Sequence, residues 1–214
     1  MKRPPLLAAI VAAVVFGAAL AGFGAALDGY SQAVHPVGLL GARGLPHALA
    51  FNVLGFVLPG VLAAFVGWRL RAAMGDGAPW AARIGAWLAL LSALAFAAQG
   101  LLPLDPRDLE SDASRMHATM WTLWWVALLP AAMLLVIGSR GPGPARALGA
   151  ASAALAAIIV LLAMLPLDLL APAVAQRVVF AAWLAWLVVA GWRAVAGRSQ
   201  GGDASGSSPR PRAR

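Results

Sequence analysis

The chain has 214 residues, of which 62% are hydrophobic and 11% charged, whereas soluble domains carry about 25% charged residues. That balance excludes the ordinary water-soluble classes. The net charge of +8 gathers at the ends of apolar runs, where it reads as topology and lipid contact rather than a nucleic-acid surface.

Crossing a hydrocarbon layer about 30 Å thick takes roughly 20 mostly apolar residues. Runs of that length recur along almost the whole chain. Lipid offers no partner to an unpaired backbone group, so such runs must be helices. The expected fold is all-α, a polytopic transmembrane bundle of six helices arranged as three hairpins. The first helix is expected over 6–27, between Met1-Lys2-Arg3-Pro4-Pro5 and Asp28. A basic start and small residues at Ala25 and Ala26 also describe a secretory signal peptide, but its apolar core is only about 7–15 residues long. The run here is longer and reads as a retained span.

The second helix is expected over 47–68, ending at Arg69 and Arg71, and the third over 84–102, between Arg83 and Pro103. The fourth covers 116–138 with Pro130 inside it. The fifth covers 147–167, between Arg146 and Asp168, and the sixth 173–193. Pro59 and Pro130 each remove a helical hydrogen bond and are expected to bend their helices. Residues 1–196 thus form one transmembrane domain. The Gly-, Ser- and Arg-rich stretch 197–214 has almost nothing to bury and is expected to be a disordered basic tail.

Orientation follows from the cations. With the amino terminus in the cytoplasm, the cytoplasmic segments hold Lys2, Arg3, Arg69, Arg71, Arg83, Arg140, Arg146, Arg193, Arg198, Arg210, Arg212 and Arg214. The outer segments hold only Arg43, Arg107, Arg115 and Arg177. That excess of inner cations is the positive-inside pattern, and it places both termini in the cytoplasm of a multi-pass protein of a bacterial inner (plasma) membrane.

The polar groups gather toward the outer face. Each ascending helix ends in Leu-Asp: Leu27-Asp28, Leu104-Asp105 and Leu167-Asp168. A carboxylate beyond a helix C-terminus meets the negative end of the macrodipole, which invites a compensating cation. Arg177 is the candidate. Fifteen residues separate it from Arg193, about 22 Å of helix at a 1.5 Å rise, so it should lie at or slightly below the outer interface. It either snorkels to water or phosphate or pairs with Asp28, Asp105 or Asp168. Asn52, Gln99, His117, Thr119 and Thr122 lie at similar depth, where polar side chains usually hydrogen-bond across helices. The nine tryptophans, Trp68, Trp80 and Trp192 among them, read as interfacial belts.

Asp28, Tyr30, Asn52, Asp105, His117 and Arg177 therefore form a candidate binding cluster, expected to approach within hydrogen-bonding reach of one another. Catalytic motifs are weak. His35, His47 and His117 lack the spacing of a metal site, and no His-Glu-x-x-His occurs. Ser31, the serine near His35, sits in nothing like a nucleophile elbow. Without cysteine, disulfides and thiolate chemistry are excluded. No acid or base lies in the middle of a span, which argues against an ion-driven pump. No catalytic residue, metal or cofactor is expected.

The outer-loop residues also carry a likeness. Tyr30-Ser31, Leu40-Gly41-Ala42-Arg43-Gly44-Leu45-Pro46, and then Asn52 and Gly55 resemble the first hairpin of the domain-of-unknown-function family 998. Pro103-Leu104-Asp105 with His117 matches its second marker, and Gln176-Arg177 stands where the family has an acid-Arg pair. Gln32, where the family often has Pro, and Gly38-Leu39, where it has Ser-Glu, depart from the pattern, as does Gln176. The resemblance spans roughly residues 6–195. It implies the six-helix fold and no particular activity.

The leading expectation is a membrane protein that binds a lipid head group or small solute at the outer cluster, with membrane lipids as partners and no nucleic acid. A membrane-embedded metal-dependent lipid hydrolase, with His117 and the aspartates holding the metal, is the alternative. A small-solute transporter is the second alternative, and it would need a cavity reaching the midplane.

Overall fold

The apolar runs become six helices in the computed structural model, which describes residues 3–75, 77–164 and 170–204. They are α1 (Pro4–Ala26), α2 (Ala48–Ala72), α3 (Trp80–Leu101), α4 (Asp112–Gly138), α5 (Pro144–Leu162) and α6 (Pro172–Ala204). Each is long and apolar enough to cross a membrane, and no strand occurs among the described residues.

Starts are set by local chemistry more than by where hydrophobicity rises. Prolines stand in the first turns of α1 and α5, where a missing N–H costs nothing. The fourth helix opens at Asp112 rather than at 116 because Ser111 caps it, its hydroxyl accepting the Ser114 N–H at 3.3 Å. The second helix runs on to Ala72 with Arg69 and Arg71 in its last turn, where cations suit the negative end of the dipole.

Pro59 and Pro130 are accommodated differently. A π-helical turn, Asn52–Val57, precedes Pro59, and widening the helix there relieves the clash with the preceding turn and spreads the lost hydrogen bond. The fourth helix continues through Pro130 to Gly138. The fifth helix passes into a second π-helical turn at Val160–Met164. Its expected end at 167, and Asp168 with it, lie outside the described residues. The last helix reaches Ala204, into the stretch read as a tail. Residues 205–214 lie outside the described residues.

Consecutive helices pack side by side, α6 returns against α1, and α2 also touches α6. The result is a ring in sequence order, closed by its first and last members. Lipid is as apolar as leucine, so this packing relies on close approach and on hydrogen bonds between helices. A Cβ on Gly60 of α2 would stand 2.6 Å from the Ala97 backbone nitrogen of α3, and one on Gly138 of α4 would collide with the Ala82 backbone of α3. Ser92 donates to the Trp124 carbonyl at 2.8 Å, and the Trp186 indole donates to Ser152 at 2.9 Å.

The ring encloses an aromatic cluster. Phe96 lies at its hub, with ring centroids 4.6 Å from Trp183, 5.3 Å from Phe56, 5.5 Å from Phe180, 5.9 Å from Trp124 and 6.0 Å from Phe16. Several of these pairs are edge-on or tilted, the arrangements the ring quadrupoles favour. The belt reading of tryptophan therefore needs dividing. Trp68, Trp80 and Trp192 are exposed on the surface, whereas Trp124, Trp183 and Trp186 are buried in the core.

Candidate functional site

The segment between α1 and α2 does not hang free. It turns at Gly29 and Gly44, both with the positive φ that glycine adopts without strain. Between them a 3-10 turn, Val37–Gly41, inserts Val37, Leu40 and Ala42 into the end of the bundle, where each is buried. The turn's backbone groups need partners once they leave solvent, and side chains of α2 and α6 supply two of them. The Val37 N–H donates to Gln176 Oε1 at 3.0 Å, and Asn52 Nδ2 donates to the Gly41 carbonyl at 2.9 Å. The Arg43 N–H donates to the Leu104 carbonyl at 2.9 Å. Position 41 must be glycine here, because a Cβ would overlap the Asn52 side chain. The segment is thus a cap stitched to three helical hairpins.

Arg177 of α6 fastens its outer edge. Its Nη2 donates to the Tyr30 hydroxyl at 2.7 Å and to the His35 carbonyl at 3.0 Å, its Nε to Gln32 Oε1 at 2.9 Å, and its Nη1 to the Ala173 carbonyl at 2.7 Å. Gln32 passes the link on to α1 by donating to the Leu20 carbonyl at 2.9 Å. Tyr30 stacks on His35 with ring centroids 5.5 Å apart. Burial raises the Tyr30 phenol above its ordinary value of 10.0, while the neighbouring Arg177 charge and its hydrogen bond pull the other way. The partners of Arg177 among the described residues are neutral oxygens. Among the described residues neither Asp28 nor Asp105 pairs with it, and the one ion pair is Arg115–Glu110.

Beneath the cap lies a cavity of about 180 Å³, bordered by Gly38, Phe56, Gln99, His117, Trp121 and Gln176, with Pro36, Leu104 and Ala118 completing it. Ala118 is exposed, so the cavity reaches the surface there. His117 is held from behind. Its Nδ1 lies 3.0 Å from the Leu102 carbonyl and 3.2 Å from the Gln99 carbonyl. Carbonyls only accept, so Nδ1 carries a proton, and in the neutral ring Nε2 is left bare as an acceptor. Nε2 faces the cap, where a Cβ on Gly38 would stand 2.9 Å from it. Gln99 is 1% exposed, and its Nε2 has no hydrogen-bond partner among the described residues.

The six candidate residues are placed as follows. Tyr30 and Arg177 are hydrogen-bonded to each other and hold the cap. Asn52 holds the cap from inside, bonded to Gly41. His117 borders the cavity. Asp28 is exposed. Asp105 closes a local turn, its carboxylate accepting the Arg107 N–H at 3.0 Å and its N–H donating to Ser114 Oγ at 3.0 Å. Of the six, only Tyr30 and Arg177 share a hydrogen bond. Gln99 and Gln176 complete the cavity and were not singled out for it in the sequence: Gln99 read as helix–helix glue and Gln176 as a lost acid. The Ser31 hydroxyl accepts from the Ala33 N–H at 3.3 Å rather than meeting His35. No three His, Asp or Glu side chains come together as metal ligands would among the described residues.

A family model described as protein of unknown function (DUF998) matches residues 8–193. The chain belongs to that family. The cap, the six spans up to Arg193 and every residue bordering the cavity fall within the DUF998 match, so the site is part of the family's domain rather than an appendage to it. No curated protein and no solved structure matches the chain.

Proposed function

We propose that this integral membrane protein binds a small polar ligand, either the head group of a lipid or a small solute, in the cavity under the cap. The observation that carries this reading is the Gln99 amide. Leaving a buried donor unpaired costs about 1–3 kcal/mol, and native proteins rarely leave one without a reason. Here the orphaned donor belongs to a residue that borders a cavity, and turning its buried amide toward a bound ligand would give it a partner. Cap residues held by Arg177, Asn52 and Gln176 would keep the pocket shaped before the ligand arrives.

The pocket lies at the end of the bundle that carries residues 27–47 and 102–111. The distribution of cations argues that this end faces outward from a bacterial inner membrane, with both termini in the cytoplasm. The aromatic cluster around Phe96 fills the centre of the bundle, which favours binding over passage of a solute through the midplane. Among the described residues no group of ligands supports the hydrolase reading.

Native mass spectrometry of the detergent-purified protein tests the proposal. Wild type should retain a small molecule or lipid that is lost from Ala118→Phe, a variant that fills the mouth of the cavity from an exposed position. Equal retention by both, with both folded, would overturn the reading.

A further inference from the structure

Resting on that reading, we infer that the ligand is neutral and engages the pocket through a hydroxyl group, as a polyol or a hydroxylated, uncharged lipid head group would. The inference comes from the inventory of the wall. Among the described residues, none that borders the cavity is Asp, Glu, Lys or Arg. An anion or cation placed there would lose its hydration without finding an opposite charge, and uncompensated burial of a charge is costly.

The polar atoms that remain offer both kinds of neutral hydrogen bond. In the neutral ring His117 Nε2 is an acceptor, since the two carbonyls behind the ring hold a proton on Nδ1. Gln99 supplies a buried amide donor that has no partner among the described residues and reaches a ligand by turning toward the cavity. Gln176 has its amide orientation fixed in the same way: a backbone N–H can only donate, so the atom facing Val37 is oxygen and the nitrogen is a second donor. A hydroxyl is the simplest single group that donates to one such atom and accepts from another. A carbonyl alone would leave His117 Nε2 unanswered, and an ammonium would leave the two amide donors unanswered.

The rest of the wall is apolar, with Phe56, Trp121 and Leu104 beside the polar atoms. It suits the carbon skeleton of a polyol or glycerol unit. Exposed Ala118 puts the opening on the outer surface of α4, where the head group of a tailed ligand could enter.

The test uses full-length protein in detergent, with thermal unfolding followed in the presence of four probes. Glycerol represents a free hydroxylated solute. A monoacylglycerol represents the same chemistry on a lipid. Phosphatidic acid is anionic with no alcohol hydroxyl in its head group, and a fatty-acid methyl ester is neutral with none. Saturable stabilisation by glycerol, by monoacylglycerol or by both is expected, and their relative strength distinguishes solute from lipid.

Gln99→Leu should weaken that stabilisation about tenfold in apparent affinity, the loss of one hydrogen bond. The same variant should unfold at a higher temperature than wild type without ligand, because it removes the orphaned donor. A structural role alone would lower that temperature. Ala118→Phe should abolish the effect of every probe. If phosphatidic acid or the methyl ester stabilises in an Ala118→Phe-sensitive way and the hydroxylated probes do not, the pocket binds but the assigned chemistry is overturned. If no probe acts and no retained molecule depends on Ala118, the pocket reading itself fails.

Discussion

Arg177 donates to the Tyr30 hydroxyl at 2.7 Å across 147 positions of the chain, and this bond ties the cap to the last helix. Among the described residues the charge is spread over the Tyr30 hydroxyl, two backbone carbonyls and the Gln32 amide, so they form a many-armed clamp of neutral oxygens around it. Hydrogen bonds to charged groups contribute about 1.5–3 kcal/mol each where solvent is excluded. Arg177→Ala should accordingly lower stability by about 2 kcal/mol and raise amide exchange selectively over 30–42. Exchange that rises equally throughout the protein, or not at all, would remove the clamp.

Tyr30 is the only tyrosine in the chain, so its ionisation can be followed alone by tyrosinate ultraviolet absorbance. Burial raises its pKa, and Arg177 partly offsets that rise. The folded state therefore holds the phenolic proton more tightly than the unfolded state. The stabilising contribution is complete below pH 10 and is lost as pH climbs through the raised folded value. Arg177→Gln removes the charge that opposes burial, and the titration should move higher still. A midpoint at or below the ordinary value in wild type would contradict this environment.

Gly41 and Asn52 make a second coupled pair. Gly41→Ala forces a Cβ into the Asn52 side chain and should destabilise by about 1–3 kcal/mol through overpacking. Asn52→Ala should cost about 1 kcal/mol for the lost bond to the Gly41 carbonyl. The double variant frees the space that Gly41→Ala needs, so its cost should be less than the sum of the singles. Additive costs, measured by thermal unfolding in detergent, would show that the two sites do not press on each other.

The six spans were legible because length and apolarity decide them: no other element satisfies its own backbone in lipid. Caps and first-turn prolines moved boundaries, as at Ser111 and Asp112, since the polar first turn of α4 lies outside the hydrophobic window. The cap was not legible. Val37, Leu40 and Ala42 are too few and too close together to show a period, and their burial depends on Gln176, far away in sequence. Arg177 and Tyr30 were grouped together from the sequence, but the partners sought for Arg177 were acids, of which Asp28 and Asp105 do not pair with it and Asp168 lies outside the described residues. Backbone carbonyls and amides carry no sequence signal of being available. Trp124 and Trp183 were assigned to belts by residue type, whereas their burial follows from the ring closure that sets α6 against α1.

Close helix approach gives predictions of opposite sign at two glycines. Gly138→Ala drives a methyl group into the Ala82 backbone and should push α3 from α4, lowering the unfolding temperature. Gly17 of α1 has nothing within 4 Å of its would-be Cβ. Glycine is about 1 kcal/mol poorer than alanine in a helix interior, so Gly17→Ala should be neutral or slightly stabilising. If both variants shift unfolding the same way, close packing at Gly138 is not what holds these helices together.

The orientation is tested by reporters. If the cations set topology, a fluorescent protein that folds only in the cytoplasm should be bright at either terminus. Alkaline phosphatase, which needs an oxidising compartment, should be active when inserted after Glu110, in the loop between α3 and α4. The same phosphatase placed after Arg140 should be inactive. Moving positive charge tests the cause as well as the arrangement. Replacing Arg69, Arg71 and Arg83 with glutamine should raise phosphatase activity after Arg140 by weakening the inner anchor of the second and third helices. Reporters that place the two termini on opposite sides would require an odd number of crossings, which six membrane-length helices in a closed ring do not provide.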